Sequence, residues 1–287
     1  MISPSNTLKA ILCMILAYIS IALMGIFVKL ASDSLPSSEI LFARFLIGTL
    51  FLLPFLAKTR DFRVDLKQWH FLVLRNLAGI CSMLLMFYSL KNLPVSIAIL
   101  LMNTSALFVP LLLLFLKEKT PLNMLACCVL GFIGVAIILL TNLNGTIAIS
   151  AIFIGLAGAM LAAMAFISLQ ELNKHNSPQN IVFYFHLLGS LLLPLFFFPQ
   201  WRFPDAHAFV LMLLVGGFGL IFQLLLTRAF KYAPANVVTP FAFTGVIFSG
   251  LCDWLFWDNA PNGNFWLGTL VIIIAVSSLA KIRSRKH

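Results

Sequence analysis

The sequence predicts an all-α integral membrane protein of ten transmembrane helices, arranged as two inverted five-helix repeats over residues 1–144 and 145–287. Three observations predict it. Apolar residues make up 61% of the chain and charged residues only 10%. The apolar residues fall in runs of about 20, the length that crosses roughly 30 Å of hydrocarbon. The stretch from Tyr88 to Pro121 recurs from Arg228 to Pro261.

Composition narrows the classes first. A soluble domain is about one quarter Asp, Glu, Lys and Arg, so a chain with 28 Phe and so little charge has lipid as its solvent. With connections of a few residues, 287 residues hold about ten spans and no sizeable soluble domain. The net charge of +10 does not point to nucleic acid, because the basic residues sit in short loops and form no amphipathic or aromatic-interleaved patch. Cys13, Cys81, Cys127, Cys128 and Cys252 all lie in apolar runs, without a Cys-x-x-Cys or a His at metal spacing. They read as small apolar fillers, and no metal or cofactor is expected. No cleavage site followed by polar sequence comes after the first apolar run, so that run is expected to be a retained span.

The spans are expected at about 8–30, 37–57, 69–90, 94–115, 121–140, 149–171, 178–198, 206–229, 234–256 and 261–281. Helices are required, since backbone polar groups in lipid must be satisfied within the segment and these runs are too uniformly apolar for barrel strands. Pro36, Pro94, Pro121, Pro178, Pro234 and Pro261 fall at or near helix starts, where the missing N–H costs little. Pro110 and Pro240 fall inside spans and are expected to kink them; because Pro110 aligns with Gly250 across the repeat, the kinks are expected to be asymmetric.

Orientation follows from counting. With the N-terminus in the cytoplasm, fourteen basic residues lie inside, including Lys58, Arg60, Arg63, Lys67, Lys117, Lys119 and the C-terminal tail, against Lys29, Lys91 and Arg202 outside. Positive charge stays on the cytoplasmic side, so both termini are expected there, in a cell inner membrane. Trp69, Trp201, Trp254, Trp257 and Trp266 lie near span ends, as an interfacial belt requires.

The repeat is ordered. At an offset of 140, Lys91 falls on Lys231, Pro94 on Pro234, Thr104 on Thr244, Phe108 on Phe248 and Pro121 on Pro261, while acidic Glu118 meets acidic Asp258. Gly79 falls on Gly219; with one extra residue, Ile40 falls on Ile181, Phe42 on Phe183 and Gly48 on Gly189. Each half has an odd number of spans, so the second must enter the membrane from the opposite side. That arrangement lets one chain open to either face around a central site.

Five spans twice over, Phe-Ala-Arg44-Phe in the second span, Leu-Arg75-Asn-Leu-Ala-Gly79 opening the third, Phe-Tyr88-Ser-Leu-Lys-Asn-Leu-Pro94-Val-Ser-Ile-Ala98 and the exit Leu-Lys-Glu118 together resemble the drug/metabolite transporter superfamily, EamA type. The resemblance covers nearly the whole chain. It implies a ten-helix carrier that exports or exchanges small metabolites such as amino acids, with a central cavity lined by spans 1, 3, 4, 6, 8 and 9. Trp257-Asp258 stands where the second half of that family often has a glycine and a glutamate.

Ionisable and polar residues within spans are the candidate substrate contacts, since an Arg near a span centre costs about 2.5–3.5 kcal/mol on insertion scales. Arg44 and Arg75 are the deepest, placed to draw a carboxylate; the alternatives are that Arg44 pairs with Glu39 or with helix-end carbonyls and that Arg75 reaches the cytoplasmic headgroups. On span 3, Arg75, Gly79, Ser82, Met86 and Ser89 share one helical face, as do Gly216, Gly219, Gln223 and Thr227 on span 8. Span 4 offers Asn103, Thr104 and Ser105; span 9 offers Asn236, Thr239 and Thr244 beside Phe241 and Phe243. Tyr18 and Tyr88 are candidates for stacking on a ligand. His186 is the deep titrator that proton coupling would use, and a packed core histidine is the alternative.

No His-Glu-x-x-His, Gly-x-Ser-x-Gly, intramembrane aspartate pair or phosphate-binding loop occurs, so no catalytic residue is expected and the chain is not expected to be an enzyme or a pump. No filter sequence marks a channel. The expectation is a secondary transporter of a small organic metabolite, an amino acid or a related anionic or amphipathic compound, by alternating access. The alternative is a flippase of a lipid or lipid-linked sugar, which would use the same fold. The expected partners are a small-molecule substrate and the bilayer, not nucleic acid, with the chain a monomer or homodimer.

Overall fold

The computed structural model describes residues 4–59, 62–115, 122–142, 149–197, 202–233 and 238–284. Pro121, Pro234, Glu118, Asn236 and Trp201 lie outside the described residues. The helices are α1 (Pro4–Ala31), α2 (Ser37–Thr59), α3 (Trp69–Asn92), α4 (Val95–Asn103), α5 (Ser105–Phe115), α6 (Leu122–Asn142), α7 (Ile149–Leu172), α8 (Pro178–Phe197), α9 (Ala206–Tyr232), α10 (Thr244–Trp257) and α11 (Gly263–Ser284). Short 3-10 helices cover Leu66–Gln68 and Thr239–Phe243, and no strand occurs among the described residues.

Among the described residues seven segments are long and apolar enough to cross a membrane, and Val95–Leu112, which joins α4 to α5, is one of them. Three further apolar helical segments, Leu125–Leu139, Phe241–Trp257 and Gly263–Ser278, are shorter. Large apolar side chains face outward along these helices: Phe51 is 68% exposed, Leu195 76% and Leu255 78%. Exposed apolar surface on this scale is at home against acyl chains, and the chain is a multi-pass membrane protein.

The helices pair across the two halves of the chain. α1 packs along α9 and α3 along α7; α2 packs on α8, α4 on α10 and α6 on α11. Glycines set the closest approaches, because lipid gives helices no hydrophobic reason to associate and small residues let dispersion take over. A Cβ on Gly134 would stand 2.9 Å from the Gly268 carbonyl oxygen, and one on Gly268 would stand 2.6 Å from that of Gly134.

Two glycine contacts mirror each other. Gly48 of α2 lies against the His186 ring of α8, and Gly189 of α8 lies against the Phe45 ring of α2. The offset of 141 that carries Gly48 to Gly189 also carries Phe45 to His186. A second pair repeats the rule: the Arg44 stem packs on Gly219 and the Phe185 ring on Gly79, with Arg44 carried to Phe185 and Gly79 to Gly219.

Of the two prolines expected to kink their spans, Pro240 lies in the 3-10 helix Thr239–Phe243, whereas the break in the span from Val95 falls elsewhere than at Pro110. The span from Val95 is interrupted at Thr104, whose amide is shared between the Leu100 and Leu101 carbonyls and whose hydroxyl donates to Leu101 O. Such back-bonding by threonine bends helices. Pro110 stays inside α5. The opposing span changes from 3-10 to α at Thr244, which is 140 residues after Thr104. The expected asymmetry of the kinks is therefore corrected: the discontinuities fall at paired positions. Pro54 and Pro194, unremarked in the sequence, also lie 140 apart inside α2 and α8.

Both ends of the bundle are tied. At the end carrying Arg63 and Lys174, Lys231 Nζ donates to the Asn173 and Asn176 carbonyls at 3.1 and 2.9 Å, and Asn180 Nδ2 to Arg63 O at 2.7 Å. At the other end, Asp253 of α10 accepts from the Val95 and Ser96 amides at 3.0 and 2.7 Å. Its carboxylate sits on the N-terminus of α4, where orphan N–H groups and the helix dipole favour an anion. Lys29 Nζ donates to Leu93 O at 2.8 Å beside it and lies 5.1 Å from the Trp257 ring centroid.

Candidate functional site

The charged centre is built by α2, α3, α8 and α9. Arg44 on α2 is fully buried, and none of its three side-chain nitrogens has a hydrogen-bond partner among the described residues. Its stem is pressed on Gly219, and its guanidinium carbon lies 5.2 Å from the Phe45 ring centroid. Arg75 on α3 is 3% exposed and donates one hydrogen bond, from Nη2 to Gln223 Oε1 of α9 at 3.1 Å. Its guanidinium carbon stands 4.3 Å from the Phe185 ring centroid, while its Nε has no partner. The Phe45 and Phe185 rings beside the two guanidiniums lie 5.1 Å apart.

Among the described residues Arg44 makes no pair with Glu39. Glu39 Oε2 accepts instead from the Arg202 amide at 3.0 Å, and Arg44 donates to no carbonyl. Arg75 turns to Gln223 of α9. Two guanidiniums face the protein interior with most of their donors unspent, which is costly unless something else satisfies them.

His186 touches the two rings, Phe45 and Phe185, that lie beside the arginines. Its Nδ1 is 2.9 Å from Val182 O; a carbonyl can only accept, so Nδ1 carries the proton. Nε2 has no partner and faces Gly48. The ring meets Phe45 and Phe185 edge-on at 5.6 and 5.7 Å.

A second polar locus sits at the paired helix breaks. Asn103, 2% exposed, donates from Nδ2 to Ala242 O at 3.2 Å, and its Oδ1 has no partner. Phe243 is buried, and Thr244 opens α10. Tyr18 links the two loci: Gly245 packs on it, and its ring meets Phe222 edge-on at 5.7 Å, one residue before Gln223. Ser82 and Thr227 are buried with unpartnered hydroxyls. The hydroxyl of Thr104 is taken up by its own helix break.

Tyr88 does not join them. It is 41% exposed near the end of α3, apart from the buried cluster. Where the resemblance implied a cavity lined by spans 1, 3, 4, 6, 8 and 9, the charges themselves come from spans 2 and 3 and are framed by 7 and 8. Sequence reasoning missed the ties of Asp253, Lys29, Asn173 and Lys231, because their partners are backbone groups 54 to 158 residues away.

The model of the EamA-like transporter family matches residues 8–140 and again residues 149–280. The chain belongs to the EamA-like transporter family. As an EamA-like protein it is a transporter of small molecules, not an enzyme. It is 28% identical to a pseudopaline exporter of Pseudomonas aeruginosa, over 96% of this chain and 97% of that one. It is 27% identical to a riboflavin transporter of Vibrio cholerae, over 98% and 96%, and 24% identical to an S-adenosylmethionine uptake transporter of Rickettsia felis, over 95% and 94%. A crystal structure at 17% identity superposes with a TM-score of 0.67 over 98% of both chains, which establishes the likeness of fold.

Proposed function

We propose that the chain is a ten-span carrier that moves a small anionic metabolite across the inner membrane by alternating access, with both termini in the cytoplasm. The observation that carries the proposal is the buried Arg44 and Arg75 pair, whose donors the protein leaves largely unspent. The relatives' names cover metabolites of different chemistry and include both an exporter and an uptake transporter. Those names support a metabolite carrier while leaving the direction to experiment. The inverted repeat over residues 1–144 and 145–287 is supported by the mirrored contacts of Gly48 with His186 and Gly189 with Phe45.

In this mechanism an anion satisfies Arg44 and Arg75, with Gln223 orienting Arg75 and Asn103, Ser82, Thr227 and Tyr18 completing the surroundings. Phe243 and Thr244 stand at the mobile break. The end tied by Asp253 and the end tied by Lys231 open in alternation. His186 serves as a packed neutral ring, and the driving force is exchange or facilitated flux. Purified protein in liposomes tests this: radiolabelled organic anions should show counterflow that Arg44→Gln abolishes, with no requirement for a pH gradient. Flux unaffected by Arg44→Gln would overturn the anion role, and flux only under a pH gradient would restore His186 to candidacy.

A further inference from the structure

Resting on the anion site proposed above, the geometry points to a ligand with two acidic groups. Arg44 and Arg75 bring two positive charges into the buried middle of the bundle, and the described residues offer them one neutral acceptor, Gln223 Oε1. The buried carboxylates serve elsewhere: Glu39 accepts from the Arg202 amide, and Asp253 caps α4. A single acid group would leave one of the two buried charges uncompensated.

Spacing adds an independent constraint. Arg44 is seated on Gly219 and Arg75 is bonded to Gln223, four residues on, or about 6 Å along the axis of α9. One carboxylate fits the fork of one guanidinium, so two forks set a turn apart suit two acids joined by a short chain. The rings of Phe45 and Phe185, 5.1 Å apart, each lie beside one of the guanidiniums. They offer an apolar wall for the linking methylenes. The ligand class is a short-chain organic dicarboxylate or its equivalent with two acidic groups.

The test measures protection of the purified full-length protein against thermal unfolding by malonate, succinate, glutarate and adipate. Butyrate and hexanoate serve as monoanions and alanine as a zwitterion, all at constant ionic strength. Glutarate or adipate should protect at concentrations about tenfold lower than either monoanion, the worth of one charge-assisted hydrogen bond. Arg44→Gln and Arg75→Gln should each erase that preference, and Arg44→Lys, which keeps the charge if the Gln variant folds poorly, should retain part of it. Equal protection by dicarboxylates and monoanions would overturn the two-acid inference and leave the anion site standing. Protection by alanine alone, or by no acid, would overturn both.

Discussion

Gly219 of α9 lies directly under the Arg44 side chain, so that a Cβ at this position would stand 2.5 Å from Arg44 Nε and 3.0 Å from its Cδ and Cγ. The contact is with the stem as well as the tip, so the arginine cannot yield by rotating its end alone. Gly219→Ala should displace the guanidinium and lower transport by about fivefold or more, in line with an overpacking cost of about 1–3 kcal/mol. Gly217→Ala, where nothing lies within 4 Å, should leave transport intact. Counterflow in liposomes measures both.

The mirrored glycine contacts predict a coupling. Gly48→Ala should lower the thermal unfolding midpoint, because the added methyl meets the His186 ring. His186→Ala should relieve it, so that the double variant is more stable than the sum of the singles by about 0.5–3 kcal/mol. Gly189→Ala with Phe45→Ala should behave alike. Additive effects in both cycles would mean that the rings are not held against those glycines.

Asp253 ties α10 to the start of α4 through two amides. Asp253→Asn keeps the shape and removes the charge, weakening bonds that are roughly twice as strong when charge-assisted. That end of the bundle should open more often. In a cysteine-free background, Ser96→Cys should react with a maleimide about tenfold faster when Asp253→Asn is present, the kinetic equivalent of about 1.4 kcal/mol. An unchanged rate would show that the tie does not hold this end shut.

Asn103 and Tyr88, both candidates from sequence, should separate. Asn103→Ala removes the bond to Ala242 O, worth about 0.6 kcal/mol as a measured interhelical bond in membranes, and takes away an unpartnered oxygen at the helix break. Transport should fall by a larger factor than the small stability loss explains. Tyr88→Ala should leave the affinity for the transported anion unchanged, since the ring is partly exposed near the end of α3. Concentration-dependent uptake distinguishes the two.

The sequence by itself determined the class, the apolar helical character and the shared faces of α3 and α9, because these depend on local chemistry. Apolar runs have no solvent but lipid, and a helix places residues three and four apart on one side whatever surrounds it. It also singled out Arg44 and Arg75, since charge in an apolar run is conspicuous. Only the tertiary structure decided that Arg44 bonds to nothing among the described residues while Glu39 turns to Arg202, and that Arg75 crosses to Gln223, 148 residues away. It also moved the first helix break from Pro110 to Thr104, and set Asp253 on the first amides of α4. Those outcomes depend on which backbone groups the packed halves bring within 3 Å of a side chain, and no spacing along the chain encodes that distance.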